Sequence, residues 1–326
     1  MAGVALLGTS CRATTATSAE TPRQLVARAD ARLAAREMQA AVEAYKIAAM
    51  TARQSGDDAT FVSGASGVVL CLALTGEPLA AGSWLEEARA KAQLEDPDAW
   101  TRFQLGSGAL LVAEGLDVRG VERLQEAYAY ALAGQRWSLA MQAAQLAAAS
   151  SEGEAKLQAG RQLLAAAEAS GEATWIAAAH DSLGWIHDAL GDQDAAVASF
   201  DRARRLLAGR SLSERVRVEW AYGRALRLAG RLSEASAVLE SARGEAARAA
   251  GPIVTQASRE WLGRLAWEQG EVDAARGALE SALRHLRLAE RSLVESDADS
   301  LAPELLAELR LRVATVRAQL DGLPVR

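Results

Sequence analysis

The chain has 326 residues, half of them hydrophobic but only 5% aromatic, and just 6 prolines, so it can bury a large core. Ala, Leu, Glu and Arg, which lose least on entering a helix, crowd nearly every segment; alternating strand formers are almost absent, and the composition predicts an all-α fold. The net charge of −6 comes from 36 basic and 42 acidic residues interspersed along the chain, which excludes a nucleic-acid tail and partners selected by bulk charge.

At the N-terminus, the short apolar stretch Val4 to Gly8 leads through Thr9 and Ser10 to Cys11, and a polar segment from Arg12 to Thr21 follows. Small residues ahead of a Cys resemble the end of a bacterial lipoprotein signal, which implies lipidation of Cys11 and a place in the cell envelope. The stretch is short and no Lys or Arg precedes it, so an unstructured cytoplasmic leader stands as the alternative. Residues 1–21 are set apart as leader on either reading. Cys71, the second of two cysteines, falls in an apolar helix and reads as a small buried hydrophobe rather than half of a disulfide. Ala59 to Gly76 carries no charge, but it includes Ser63, Ser66, Thr75 and three glycines at barely spanning length. It is expected to be a buried helix, not a membrane span.

Internal periodicity organises residues 22–295. Leu183-Gly184 is followed by Gly191, Ala196, Phe200 and Ala203; Tyr222-Gly223 by Gly230, Ala235, Leu239 and Ala242; Leu262-Gly263 by Gly270, Ala275, Leu279 and Ala282. From the first Gly the steps are 7, 12, 16 and 19 residues in each copy. Gly108, Gly115, Gly120, Leu124 and Ala127 fit the same frame, as do Gly76, Ala81, Leu85 and Ala88, and Ala29, Ala41, Tyr45 and Ala48. A weaker copy runs through Ala148, Ala155, Gly160, Leu164 and Ala167.

This pattern resembles the tetratricopeptide repeat, in which small residues at positions 8, 20 and 27 let two antiparallel helices approach, a large apolar residue at 24 fills the space beside them, and a turn falls near 15. Position 8 recurs at 29, 69, 108, 148, 184, 223 and 263, giving seven repeats of about 40 residues, longer than the family's standard unit. The resemblance implies a right-handed superhelical solenoid of seven antiparallel helix pairs. After a break at Ser296 to Ser300, Leu301 to Leu320 reads as a capping helix with Glu304, Glu308, Arg310, Arg312 and Arg317 on its polar face, so 296–326 forms the cap and tail.

Chemistry is sparse. His180 and His187 share one helix face but stand two turns apart, about 10.5 Å, too far to hold one ion, and both fall on packing positions of the repeat. No phosphate-cradling loop or nucleophile elbow is present, and three His with two Cys leave few base and nucleophile pairs. No catalytic residue, metal or cofactor is assigned, and the chain is read as non-enzymatic.

The resemblance also implies a concave groove lined by first-helix positions 2, 5, 9, 12 and 13. In repeats five to seven these are Asp181, Trp185 and Asp188; Arg217, Trp220, Arg224 and Arg227; and Glu260, Arg264, Trp267 and Glu268. Arg and Trp anchor interfaces well because each joins large contact area to a directional polar group. These residues point to a scaffold that holds a partner protein or peptide, with any membrane link made only through Cys11. The four positive and four negative charges could also pair with one another. In repeats two and three the same positions carry Ser63, Ser66, Leu70, Leu105, Ala109 and Val112, an apolar surface that another subunit could cover. A regulatory repeat protein acting on a separate effector, a transcription regulator or a caspase-like protease system, is the rival reading.

Overall fold

The computed structural model describes residues 20–250, 255–296 and 303–322. Cys11 and most of the break before the last helix lie outside them. The described residues form fifteen α-helices and fall into two compact units, 1–116 and 117–326. The first unit holds α1 (Pro22–Ala34), α2 (Met38–Ser55), α3 (Asp58–Leu74), α4 (Pro78–Lys91) and α5 (Pro97–Ala113). The second holds α6 (Asp117–Ala133), α7 (Trp137–Ala149), α8 (Gly153–Ser170), α9 (Ala173–Ala189), α10 (Gln193–Leu206), α11 (Leu212–Leu228), α12 (Leu232–Ala250), α13 (Gln256–Ala275), α14 (Leu279–Val294) and α15 (Pro303–Leu320). The described residues are all helical, the all-α tetratricopeptide-like repeat expected, with successive helices packed as α1 on α2 and α3 on α4 in the first unit and as α7 on α8, α9 on α10, α11 on α12 and α13 on α14 in the second.

Local chemistry starts the helices where the sequence signals them. Thr21 accepts from the Gln24 backbone N–H while Gln24 accepts from that of Thr21, a reciprocal capping box ahead of Pro22. Asp57, Asp96 and Asp192 cap α3, α5 and α10 by accepting from backbone N–H groups three residues on. Gly76, Gly191 and Gly230 adopt the positive φ that closes a helix and turns the chain, at the position the repeat frame gives them.

In the first unit α3 is enclosed on all sides: every residue from Thr60 to Ala73 is buried, because α1, α2, α4 and α5 all pack on it. That is why the segment lacks charge. Among the described residues no helix is long and apolar enough to cross a membrane. Cys71 is fully buried as expected, and burial pushes its thiol up to about 12. The close contact of α3 with α5 depends on Gly106, where a Cβ would stand 2.8 Å from the Ser66 carbonyl oxygen. This contact overturns the expectation of an open apolar groove here: Ser63, Ser66, Leu70, Leu105 and Ala109 are all buried within the chain, and only Val112 is partly exposed. Across this core Arg102 of α5 makes two hydrogen bonds to Asp30 of α1, at 2.7 and 2.8 Å, and Tyr45 of α2 donates to the same carboxylate.

Two copies of the repeat sit in a different frame from the one expected. In the fourth, the turn comes between Ala149 and Gly153, so Ala155 lies inside α8, and Leu163 rather than Leu164 is buried. In the seventh, Gly270 is not a turn residue but lies within α13, and the turn falls at Gly277, with φ +77°. Stepping 7, 12, 16 and 19 from Gly270 gives Gly277, Ala282, Leu286 and Ala289, the same pattern one period of seven later. Packing selects this second frame. A Cβ on Gly184 would meet Phe200, one on Gly223 would meet Leu239 and one on Gly270 would meet Leu286, each at 2.6–2.8 Å and each sixteen residues on.

Candidate functional site

The expected groove residues lie on three first helices of the second unit: Asp181, Trp185 and Asp188 on α9; Arg217, Trp220, Arg224 and Arg227 on α11; Glu260, Arg264, Trp267 and Glu268 on α13. Their charges are consumed by one another. Arg217 reaches Asp181 at 2.8 Å and Arg224 reaches Asp188 at 2.5 Å, both from α11 to α9. Arg227 binds Glu268 across to α13, and Arg264 binds Glu260 at 2.9 Å one turn back on its own helix. The row therefore acts first as a set of ties between neighbouring helices.

Burial makes these ties unequal. Asp181 and Glu268 are 7% and 6% exposed, and burial raises both carboxyls above their ordinary values against the pull of Arg217 and Arg227 respectively. Beneath the charges runs a line of indoles. Trp185 and Trp220 have ring centroids 5.8 Å apart, Trp220 and Trp261 6.2 Å, and Trp185 meets Phe200 edge-on at 5.3 Å. Arg224 stacks over Trp185 and Arg264 over Trp261. Such contacts add about 0.5–1.5 kcal/mol each beyond area burial, so the indoles hold α9, α11 and α13 in register.

An open cleft of about 510 Å³ begins where this row reaches the last helix. Trp220, Arg224 and Arg227 form one wall, Arg264, Trp267, Glu268 and Glu271 the floor, and Leu305, Glu308, Leu311, Arg312 and Thr315 of α15 the other wall. Six of the expected groove residues line it. Asp181, Trp185, Asp188, Arg217 and Glu260 do not: Trp185, Asp188 and Glu260 are partners of residues that do, while Asp181 and Arg217 pair with each other away from it. Helix α15 seals the core with Leu306, Leu309 and Val316, as a cap should, while the 69%-exposed Leu311 faces the cleft. Arg312 ties the α15 wall to the floor through Glu271 at 2.8 Å.

Trp261, Glu271 and the α15 residues were not expected at the site. Glu271 was legible in the frame that begins at Gly270, which moves Arg264, Trp267 and Glu271 to positions 2, 5 and 9. Among the described residues no group of three or more His, Cys, Asp or Glu side chains is placed to hold a metal ion.

No protein-family model matches the chain, and no curated protein matches it. Solved structures similar to it include apo RapI, 13% identical over 84% of this chain and 99% of that one, with a TM-score of 0.46. A tetratricopeptide repeat protein from Parabacteroides merdae is 14% identical over 90% and 98%, with a TM-score of 0.44. NprR, solved in complex with its cognate peptide NprX, is 10% identical over 92% and 84%, with a TM-score of 0.44.

Proposed function

We propose that this protein is a non-enzymatic scaffold that holds a peptide segment of a partner protein in the cleft between α11, α13 and α15. The observation that carries the reading is the juxtaposition of a half-buried Trp220 and Trp267 with the exposed Leu311 in an open cleft of about 510 Å³, a size suited to a few residues of chain. Apolar anchors beside oriented polar groups are what interface hot spots are made of. The paired arginines rule out a simple electrostatic trap: a partner must add hydrogen bonds to guanidiniums already held by carboxylates, and gain its affinity from apolar contact.

The test is selection of random displayed peptides on the immobilised full chain. Clones should emerge whose binding falls at least tenfold in Leu311→Glu and in Trp267→Ala. Leu311 is largely in solvent, so its replacement leaves folding intact and reads the cleft directly. Binding should be unchanged in Arg310→Gln, whose residue is exposed on the same helix outside the cleft. Absence of clones, or clones indifferent to Leu311, would sink the reading.

A further inference from the structure

The arginines of the charged row are paired, whereas several on the outer faces of the second helices are not. Helix α14 buries Ala282, Leu283, Leu286, Ala289 and Leu293, and its exposed stripe carries Arg284, Arg287 and Arg291, spaced three and four residues apart. Arg202 of α10 and Arg243 and Arg248 of α12 belong with them: all six lack a carboxylate partner among the described residues. The C-terminal halves of these three helices lie side by side. One groove runs between Arg205 of α10 and Ser241 and Glu245 of α12, and another between Arg243 and Ala247 of α12 and Leu288 and Ser292 of α14. Other arginines already hold the neighbouring carboxylates, Asp201 by Arg205, Glu245 by Arg215 and Glu290 by Arg310. Glu168, Glu172, Glu240 and Glu295 near this edge have no cation among the described residues, but the six arginines outnumber them. Asp194 and Glu280 sit in first turns, at the far ends of α10 and α14.

Helix polarity explains only part of this. A cation in the last turn is favoured by the partial negative charge of the helix end, which accounts for Arg248 and Arg291. Arg202, Arg243, Arg284 and Arg287 lie before the last turn, outside its reach. We infer that this edge of the second unit, formed by α10, α12 and α14, docks on the surface of an anionic lipid bilayer. A layer of mobile headgroups asks for positive charge with reach, not for donors of fixed geometry, and these guanidiniums are held by no carboxylate. A single phosphate or the carboxylate of an acidic protein would be gripped better by pre-oriented arginines, which these six are not. Apolar tips accompany the charge. Trp175 lies in the first turn of α9 beside Ile176, which shares a groove with Arg202, Arg205 and Leu206, and Val294 ends α14. Trp175, Leu206 and Val294 are 36%, 38% and 44% exposed, and an indole among aliphatic groups suits the interfacial layer of a bilayer. The peptide cleft draws on α11, α13 and α15 instead, so the two surfaces use different residues.

Co-sedimentation with vesicles tests the edge. The full chain carrying Cys11→Ala, so that no acyl chain contributes, is mixed with vesicles of phosphatidylcholine alone or of equal parts phosphatidylcholine and phosphatidylglycerol. Binding should be at least tenfold stronger to the mixed vesicles. It should fall at least tenfold between ~0.1 M and ~1 M salt, where the screening length drops from about 10 Å to about 3 Å. The combined Arg284→Gln, Arg287→Gln and Arg291→Gln substitutions should cost at least tenfold, while the three corresponding Lys substitutions stay within twofold of the parent, because headgroups need charge rather than a fork. A control that removes as much charge elsewhere, Arg119→Gln, Arg123→Gln and Arg161→Gln on α6 and α8, should stay within threefold. Trp175→Ser should cost at least threefold. Thermal melts establish that every variant is folded. Equal binding to both kinds of vesicle, no binding to either, equal losses in the control and the α14 variant, or tighter binding to a DNA duplex than to the mixed vesicles overturns the inference. None of these outcomes bears on the peptide cleft, which contains no α14 residue.

Discussion

Glu268 sits in the charged row with 6% exposure, bonded to Arg227, with Arg224 and Glu271 also near enough to act on it. Its carboxyl is raised above the ordinary value because burial disfavours the charged form more than Arg227 and Arg224 favour it. The folded protein therefore takes up this proton at a pH where the unfolded chain has not, and stability from this group increases as pH falls from the raised folded value to the ordinary one. Above that interval the carboxylate is charged in both states, and below it neutral in both, so the effect is flat on either side. Glu268→Gln removes the titration. The difference in melting temperature between parent and Glu268→Gln should shift in favour of the parent as pH is lowered through the interval. Carboxylates with lowered values, such as Asp201 held by Arg205 and Arg204, act in the opposite direction but are common to both proteins and cancel in the difference. A reversed difference would show that pairing with arginine outweighs burial, and a flat one that the two cancel.

Helices and their pairing were legible because small residues recur for a steric reason that the structure repeats: Gly184, Gly223 and Gly270 each admit the large side chain sixteen residues on. Where the frame misled, it did so by ambiguity. Gly263, Gly270 and Gly277 are seven apart, as are Ala275, Ala282 and Ala289, so two registers satisfy the pattern in the seventh repeat and only packing of Leu286 on Gly270 decides. The groove charges were legible, as was the possibility that they pair. The cleft's outer wall was not, because a terminal helix read as a cap gives no signal of which of its faces meets a neighbour. Nor could the closed surface of α3 and α5 be seen, since small residues mark close approach between helix pairs as readily as within them. Gly106→Ala tests that approach: its Cβ would press on the backbone oxygen of Ser66, which cannot rotate away, and we expect a loss of about 1–3 kcal/mol. Gly82→Ala on α4 meets nothing within 4 Å and should instead stabilise, by up to about 1 kcal/mol. Urea titration of the two variants gives opposite signs if α3 and α5 are packed as described.

In the second unit each helix from α6 to α15 packs on the next in sequence, with α11 also touching α13. Stability in such an array is a sum of local terms, so damage at one end should stay there. Helix α15 contributes Leu306, Leu309 and Val316 to a cluster with Leu286 and Leu293 of α14, and each of these buried side chains is worth about 1.5–3 kcal/mol. It also supplies one wall of the cleft and, through Arg312, a tie to Glu271. A chain ending after Ser296 loses both roles at once. Hydrogen exchange should show amides of α13 and α14 opening at least tenfold faster, while those of α7 to α10 keep their protection. Peptides selected on the full chain should no longer bind. The contrast with Leu311→Glu separates the two roles, because that substitution abolishes binding with α14 fully protected. Protection lost evenly from α6 to α14 would mean that the unit folds as a single cooperative body, and that α15 acts on all of it rather than on the cleft it borders.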